Sequence, residues 1–358
     1  MSKVNNLNSI NFVNHGCQFV VGLVLNHDAG ESFDVEVKAS HSRFPTKWIT
    51  PSANIIFHDD RIVIEFQRPV NYFNFQIDVY GSEISMVNGF FLEYKPKSRE
   101  DIIEYIKEKT ITFAAPVRNC GTSLVADVNL AIKIGEFFKN YNIVIFENDS
   151  IDETKRILQD FHGHERIKVI TMDNLDQKFP FRTQRISFAR NKLFNEVKKI
   201  GSDYFCTMDM DGVIGLDFDI EGFLSNFYYD DCWDAVFPVN VDKYYDIWTL
   251  RHPDICPGDY ERDMNSMDPI FSDEIIFDNC LNNLQRMDFK KLNGWLNVMS
   301  AFGGMGIYKT SKFVNSSYFG VKDNYEVSDH VAFHLKAVES GAMLYLNPRF
   351  LVNSKLGL

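Results

Sequence analysis

The stretch "YFCTMDMDGV", residues 204–213, joins an apolar run to two carboxylates that stand one residue apart. Tyr204 to Met208 are apolar enough to form a strand in the middle of a sheet. Asp209 and Asp211 then fall at the carboxyl end of that strand. Because Asp-Gly after a strand is commonly a turn, two interpretations are open at this point, a polar turn or a metal site.

The residues before this stretch alternate between strand and helix patterns. Such alternation predicts βαβ units, a mostly parallel sheet and a ligand site at the carboxyl ends of its strands. The predicted strands are "TITFAAPV", "NIVIFEND", "IKVITMD" and the quoted stretch, and the predicted helices lie near residues 123–139, 152–162 and 184–199.

The first 95 or so residues follow another pattern, in which short apolar or alternating runs are separated by Asn, Asp, Gly or Pro. Runs of this kind predict an antiparallel β-sandwich, with "HDDR" (58–61) as a hairpin turn rather than a metal site. "KPKSREDIIEYIKEKT" (95–110) then begins a helix for which Ser98 is the predicted N-cap. We therefore expect an accessory domain over residues 1–97 and an α/β domain over 98–358.

Composition and charge exclude several classes of protein. The formal charge of −12 and the absence of any Lys/Arg cluster argue against a nucleic-acid partner. No stretch approaches the roughly 20 apolar residues of a membrane span, and the N-terminus lacks the apolar region of a leader. Six scattered cysteines predict reduced thiols. We expect a cytoplasmic protein without a membrane span.

Three of the predicted strands end in polar residues, in "APVRNCG" (115–121), "FENDSIDET" (146–154) and "MDMDG" (208–212). Strand ends in register suggest a shared crevice. Asp209 and Asp211 would repel each other there and be partly desolvated, a cost that a divalent cation relieves. Hard oxygen ligands suit Mg²⁺ or Mn²⁺, which bridge to a diphosphate.

The stretch "RTQRISFARNKLFNEV" (182–197) carries Arg182, Arg185 and Arg190. An ordinary amphipathic helix explains most of this pattern. The planar guanidinium of arginine also suits phosphate oxygens, so one or two of these residues are candidates for holding a diphosphate.

Two later segments add candidate residues. Gly303 and Gly304 do not fit the dinucleotide fingerprint, and they allow either close approach of the backbone to a ligand or a bulge in a strand. Ser328 is the predicted cap of a helix that carries Asp329 and His330 in its first turn. His334 follows one turn later, but the zincin glutamate is missing. His334 is expected to be structural, with His330 or Asp329 facing the crevice.

Together these motifs resemble the GT-A type of nucleotide-sugar-dependent glycosyltransferase. The resemblance covers residues from about 110 to 358, and it rests on "PVRNC", "FENDSIDET", "ARN", the D-x-D acids, "FGGMGIY" and "EVSDHVAFH". The same region is similar to the fungal capsule-associated (Cap59-like) mannosyltransferase family, in which the N-terminal strands have no counterpart. The resemblance implies a GT-A fold, which is Rossmann-like with a mostly parallel central sheet, and this fold would follow the N-terminal sandwich along the chain.

The resemblance also implies roles for individual residues. Asp329 would be the general base of an inverting enzyme, or would position substrate in a retaining one. Asp209 and Asp211 would hold Mn²⁺ or Mg²⁺ against the donor diphosphate, with Asp211 the direct ligand. The remaining implied roles are His330 in the metal shell, Pro116, Arg118, Asn119 and Glu147 around the base and ribose, Arg185 or Arg190 at the phosphates, and Gly303 and Gly304 at the sugar.

The leading hypothesis is thus a metal-dependent glycosyltransferase that moves a sugar from a nucleotide-diphosphate sugar donor to a glycan or polysaccharide acceptor. An inactive carbohydrate-binding or scaffold protein and a sugar nucleotidyltransferase are the alternatives. The presence of all the candidate acids argues against an inactive protein. The stretch "APVRNCGTS" matches the glycine-rich loop of a nucleotidyltransferase only in part. The sugar, nucleotide base, acceptor, anomeric outcome and oligomeric state, a homo-oligomer included, stay open.

Overall fold

The structure is a computed structural model, and it describes residues 6–14, 19–27, 34–41, 48–81, 86–215, 217–241, 244–259 and 287–352. Cys17 and Cys280 lie outside these ranges. The chain forms two compact units, of which the first comprises Met1–Pro96 with Asn293–Asn297 and the second comprises Lys97–Leu292 with Val298–Leu358.

The first unit contains two antiparallel sheets, with strand orders β1-β6-β3 and β4-β5-β2-β7. Alternate residues of β5 are buried, as a strand with one core face requires. The ring of Phe75 packs 5.7 Å from Phe66 and 5.4 Å from Phe91, which belong to the other sheet. The predicted antiparallel sandwich is therefore confirmed. Its strands are β1 Asn6–Val13, β2 Val20–His27, β3 Asp34–Ser40, β4 Ala53–Phe57, β5 Arg61–Val70, β6 Asn74–Gly81 and β7 Met86–Glu93.

Strand β1 is an addition to the predicted set. Its Asn-rich sequence has a weak strand propensity, yet it pairs residue by residue with β6 from Asn6 to Val13. Tertiary pairing thus overrides local preference. The "HDDR" turn is confirmed, because it links β4 to β5, which pair antiparallel.

The second unit is built on a sheet in which seven strands follow the order β10-β9-β8-β11-β14-β12-β17. Four neighbouring pairs are parallel, β10-β9, β9-β8, β8-β11 and β12-β17. The predicted mostly parallel α/β sheet is confirmed. A strand that runs antiparallel, β14, lies between β11 and β12. The strands are β8 Thr110–Val117, β9 Asn140–Glu147, β10 Ile167–Thr171, β11 Tyr204–Met208, β12 Ala235–Asn240, β14 Met305–Lys309 and β17 Leu344–Val352, and a separate hairpin consists of β15 Val321–Lys322 and β16 Tyr325–Glu326. The short strand β13 Leu296–Val298 begins in the segment that is assigned to the first unit.

The strand order reverses at one place in this sheet. From β8 the chain moves outward through β9 to β10, and it then returns to the other side of β8 to form β11. Connections leave the carboxyl ends of β8 and β11 in opposite directions, which opens a crevice between them. This switch point positions the site described below.

The helices follow the predicted amphipathic segments. Helix α1 begins with a capping box, in which Asp101 N donates to Ser98 Oγ and Ser98 N donates to Asp101 Oδ2. Gly201 follows the last residue of helix α5, and its φ of 72° is the left-handed conformation that commonly terminates a helix. Among the described helices, none is both long and apolar enough to cross a membrane. The helices are α1 Arg99–Ile106, α2 Leu124–Gly135, α3 Thr154–Asp160, α4 Leu175–Lys178, α5 Arg182–Ile200, α6 Ile220–Leu224, α7 Thr310–Phe313 and α8 Asp329–Glu339.

The described cysteines agree with the expected chemistry. Cys120 and Cys206 are buried thiols without a disulfide in the described part of the chain, and Cys232 and Cys256 are also buried. Burial raises the pKa of the Cys120 thiol to about 12, so this thiol is protonated and unreactive at neutral pH.

Candidate functional site

A cavity of about 460 Å³ lies at the carboxyl ends of β8 and β11. Its position is the switch point of the sheet, where open α/β sheets bind their ligands. Residues from both strand ends, from α5, from the segment after β12 and from the start of α8 line it. They include Pro116, Val117, Arg118, Cys120, Asn148, Arg182, Thr183, Arg185, Ile186, Ala189, Arg190, Asp209, Met210, Asp211, Tyr245, Asp246, Trp248, Thr249, Phe302, Ser328, Asp329 and His330.

Arg190 is the centre of an ion-pair cluster in this cavity. Its Nη2 donates to Asp209 Oδ1 at 3.0 Å, and its Nη1 donates to Thr207 Oγ1 at 2.8 Å. Its Nε lies 2.7 Å from Asp329 Oδ2, an ion pair whose angle departs from that of a hydrogen bond. The Arg190 side chain is 5% exposed. One buried guanidinium therefore holds together two candidate site carboxylates that are distant in the sequence.

The two acids of the D-x-D stretch have different environments. Burial raises the pKa of the Asp209 carboxyl to about 7, against the opposing charge of Arg190. Asp209 N donates to Gly304 O at 2.9 Å. The backbone immediately before β14 therefore fixes the position of Asp209. Asp211 is exposed, and its Oδ1 accepts from Val213 N at 3.2 Å. Asp209 is a partly enclosed ligand candidate, whereas Asp211 faces solvent.

The turn that carries Asp211 is held from below by α2. Ser123 Oγ donates to Met210 O at 3.1 Å, and Gly212 N donates to Asp127 Oδ2 at 3.2 Å. Gly212 has a φ of 90°, in the left-handed region that favours glycine. The Asp-Gly pair is therefore a turn, as the sequence allowed, and this turn also presents both carboxylates to the cavity.

Two histidines one helical turn apart in α8 differ in their partners. His334 has Ser300 Oγ at 2.9 Å from Nδ1 and Tyr308 OH at 2.9 Å from Nε2. His330 is stacked 4.0 Å from the Phe302 ring, and neither of its ring nitrogens has a hydrogen-bond partner among the residues that the structure describes. Burial lowers the pKa of both imidazoles. His334 is thus a structural residue, as expected, and His330 is a neutral imidazole available to a ligand.

The described residues contain no group of three His, Cys, Asp or Glu that already forms a metal cage. Asp209, Asp211 and His330 nevertheless line one cavity. Mg²⁺ and Mn²⁺ commonly take one or two carboxylates and complete their shell with water and substrate phosphates. Two carboxylates and an unpartnered imidazole nitrogen are donors of the right kind, so these residues fit a cation that is shared with a phosphate ligand.

Three further arginines, Arg118, Arg182 and Arg185, line the same cavity. Arg118 forms two hydrogen bonds to Asp176, at 2.9 and 2.7 Å, and Arg185 Nε lies 3.1 Å from the same carboxylate. Arg185 Nη1 also donates to Phe179 O and Pro180 O. Arg182 is exposed and makes no ion pair within the described part of the chain. Of the three, Arg182 is the cation most accessible to an anionic ligand.

Asn119 and Glu147 lie beneath the cavity and do not line it. Asn119 Oδ1 accepts from Ile151 N at 2.9 Å, which ties the loop after β8 to the loop after β9. Glu147 is fully buried, and its Oε1 accepts from Ser150 N at 2.9 Å, while its Oε2 has no partner among the described residues. Both residues shape these loops in the described arrangement.

Gly303 and Gly304 also lie outside the cavity lining. Their φ angles are 72° and 93°, and a Cβ on Gly304 would stand 2.5 Å from Val213 Cγ1. Gly303 N donates to Asp246 Oδ2 at 3.1 Å. The glycines are therefore required by the backbone path, and they position Asp209 and Asp246 rather than contact the cavity.

Sequence reasoning missed the segment after β12, which contributes Tyr245, Asp246 and Trp248 to the lining. Burial raises the pKa of Asp246 to about 6, although Thr249 Oγ1 donates to it at 2.7 Å. The buried Nε1 of Trp248 has no hydrogen-bond partner within the described part of the chain. The available signal was "YYDIW" (244–248), an acid among aromatic residues that begins four residues after the end of the apolar strand β12.

No protein-family model and no curated protein matches the chain. Among solved structures, glucosyl-3-phosphoglycerate synthase from M. tuberculosis is similar, with 9% identity, a TM-score of 0.37, and coverage of 74% of this chain and 79% of that one. A mannosyltransferase from Pyrobaculum calidifontis in complex with GDP-Man and Mn²⁺ has 12% identity, a TM-score of 0.41, and coverage of 70% and 59%. S. aureus TarS 1-349 has 12% identity, a TM-score of 0.39, and coverage of 68% and 60%. Because these identities and TM-scores are low, the function proposed below is argued from the residues of the site.

Proposed function

We propose that the protein is a metal-dependent glycosyltransferase of the GT-A type, which transfers a sugar from a nucleotide-diphosphate sugar to a hydroxyl group of a glycan or polysaccharide. One observation carries this proposal. Asp209, Asp211, Asp329 and the unpartnered His330 line a single cavity at the switch point of the sheet. A carboxylate pair for a metal and a third carboxylate for a proton are the groups that this transfer needs.

Asp209, Asp211 and His330 are the proposed ligands of Mn²⁺ or Mg²⁺, with Asp211 in direct contact. When bound, the cation would neutralise negative charge on the departing diphosphate. Arg182 and Arg185, which line the same cavity, are the proposed ligands of the phosphate oxygens. Pro116 and Arg118 would contact the nucleoside, and Asn119 and Glu147 would shape the loops around it.

Asp329 is the proposed general base of an inverting transfer. Its carboxylate takes the proton of the acceptor hydroxyl while that oxygen bonds to the anomeric carbon. The bond from the anomeric carbon to the phosphate oxygen breaks, and the nucleoside diphosphate leaves with the electron pair. Arg190 holds Asp329 and Asp209 at a fixed separation. In a retaining enzyme Asp329 would position the acceptor instead.

Residues 98–358 are assigned the transferase activity in this proposal, and residues 1–97 an accessory role. The enzyme is expected to act in the cytoplasm. Neither assignment is needed for the chemistry above.

The proposal is tested by incubating the protein with a panel of nucleotide sugars and Mn²⁺ and measuring release of nucleoside diphosphate. Asp211→Ala is expected to lower this rate by about a thousandfold, since loss of charge stabilisation at the leaving group costs roughly 4 kcal/mol. Asp211 is exposed, so the melting temperature should not change. Glu165→Ala, which removes an exposed acid far from the cavity lining, is the matched control.

The outcomes separate the alternatives. Absence of both donor turnover and metal-dependent donor binding would reject the enzyme and favour a carbohydrate-binding or scaffold protein. Release of pyrophosphate from a nucleoside triphosphate and a sugar phosphate would favour a nucleotidyltransferase.

A further inference from the structure

A second and larger cavity, of about 890 Å³, lies beside the candidate site in the same unit. Its volume is within the range of roughly 300–1,000 Å³ that is typical of ligand pockets. Apolar side chains of α8 and of the segment that contains β15 and β16 form most of its wall. Its lining residues are Phe181, Arg251, Asp259, Phe319, Val321, Lys322, Asn324, Tyr325, Glu326, Val327, Ser328, Val331, Ala332 and Leu335.

The two cavities meet at the beginning of α8. Ser328 lines both, and the next residue is Asp329, the proposed base. Ser328 Oγ is 2.9 Å from Oγ1 of Thr249, a residue that lines the first cavity. The larger cavity therefore reaches the residue that precedes Asp329, while Asp329 itself lines the first cavity.

The β15–β16 hairpin is anchored to the first cavity. Its turn residues Asp323 and Asn324 have φ angles of 52° and 66°, as in a tight two-residue hairpin. Glu326 Oε1 accepts hydrogen bonds from Thr183 N at 2.9 Å and from Thr183 Oγ1 at 3.0 Å. Because Thr183 lies at the start of α5 and lines the first cavity, the hairpin holds its side chains at a fixed position relative to Asp329.

Two aromatic rings on this segment are exposed inside the larger cavity. Phe319 is 60% exposed and Tyr325 is 63% exposed. Apolar side chains that are exposed together in one concave surface commonly mark a ligand-binding site. The apolar faces of aromatic rings suit flat ligands that are apolar on one side, and Tyr325 adds a hydroxyl group.

The charge of the lining indicates a neutral ligand. Its two cations, Arg251 and Lys322, are matched by two anions, Asp259 and Glu326. Arg251 Nη2 lies 3.2 Å from Asp259 Oδ2. The lining therefore gives no net attraction for a phosphorylated or acidic chain.

We propose that this cavity binds the acceptor, and that the acceptor is a neutral oligosaccharide whose sugar rings stack on Phe319 and Tyr325. A sugar ring has an apolar C–H face for these side chains and hydroxyl groups for Lys322 and Asn324. The assignment of the ligand as the acceptor rests on the proposed transferase function, whereas binding of the oligosaccharide does not.

The test measures binding of mannotriose, xylotriose and maltotriose by saturation-transfer NMR and calorimetry, without donor. Phe319→Ala and Tyr325→Ala are each expected to lower the affinity for the tightest-binding trisaccharide about tenfold, as loss of one aromatic contact does. Both side chains are exposed, so the variants should fold. Phe90→Ala, which removes a ring that is 52% exposed in the first unit, should leave the affinity unchanged.

Binding of a nucleoside diphosphate with Mn²⁺ is measured in the same variants and is expected to stay within twofold of the original protein. Three results would overturn the inference: no trisaccharide binds the original protein, the two variants bind it equally well, or decyl maltoside binds while maltose does not. Each of these leaves donor turnover intact if the proposed function holds. Loss of donor turnover in the original protein would reject the proposed function instead.

Discussion

The two ends of strand β11 carry buried polar clusters of opposite character. At the amino end, Tyr204 OH and Tyr105 OH donate to the two oxygens of Asp230, at 2.5 and 2.7 Å. Lys309 Nζ lies 3.4 Å from the same carboxylate. At the carboxyl end, Arg190 joins Asp209 to Asp329 beside a histidine without hydrogen-bond partners. One strand thus connects a completed network to an incomplete one.

The two clusters differ in whether they contain buried polar atoms without a hydrogen-bond partner in the described part of the chain. None of the side chains in the Asp230 cluster leaves a buried polar atom unpaired in the described part of the chain. Around the cavity, the unpartnered atoms include both ring nitrogens of His330 and Nε1 of Trp248. A buried polar group without a partner costs free energy that a ligand can recover. The amino end is therefore a completed stabilising network, whereas the carboxyl end keeps polar atoms that the proposed ligand would pair.

The largest effect is expected at the carboxyl end. Asp329→Asn should reduce sugar transfer by about a hundredfold or more, the usual contribution of a general base, because an amide cannot take the acceptor proton. Affinity for the nucleoside diphosphate with Mn²⁺ should be retained. Single-turnover transfer and calorimetric binding measure the two effects separately, and equal loss of both would remove Asp329 as the base.

The amino end is expected to respond through stability alone. Asp230→Ala removes the shared acceptor of Tyr105 and Tyr204 and leaves Lys309 without its carboxylate, so unfolding should become easier by about 3 kcal/mol. Urea denaturation followed by circular dichroism gives this value. Donor affinity measured below the midpoint should be unchanged. A loss of donor affinity in the folded variant would contradict the separation of the two ends.

Helix α8 contains one histidine with hydrogen-bond partners, His334, and one without partners among the described residues, His330. His334→Phe should destabilise the protein by about 2 kcal/mol, because Ser300 Oγ and Tyr308 OH lose their partner in the core. His330→Phe removes two unpaired nitrogens and keeps the ring stacked on Phe302, so stability should be equal or higher. Thermal denaturation of both variants in metal-free buffer tests this. Equal destabilisation would show that His330 already has a structural role.

The smallest effect concerns pH and Asp246. Burial raises the pKa of this carboxyl from 3.8 to about 6, so between these values the folded state holds a proton that the unfolded state releases. The carboxyl therefore stabilises the fold at low pH, and this contribution is lost as pH rises toward 6. The stability of Asp246→Asn relative to the original protein should increase by about 1–2 kcal/mol from pH 4 to pH 7. Denaturation midpoints at both pH values measure it, and a constant difference would contradict the raised pKa.

Much of the secondary structure could be predicted from local pattern. The apolar run Tyr204–Met208 is a buried strand, and Ser98 begins a helix with a capping box. These features depend on residues within a few positions of each other, where periodicity and capping act directly. The antiparallel strand β14 could not be placed in this way, because its position between β11 and β12 depends on segments far apart in the chain.

The same distinction between local pattern and tertiary packing applies to the candidate site. Sequence pattern alone determined that Asp209 and Asp211 follow a central strand, that Arg190 lies on a helix and that Asp329 begins another. Only the tertiary structure decided that Arg190 joins Asp209 to Asp329, that Trp248 faces the same cavity and that the rings of Phe319 and Tyr325 line the next one. The physical reason is that local propensity determines helices and strands, whereas the pairing of buried charges and the exposure of apolar rings depend on which distant segments pack together.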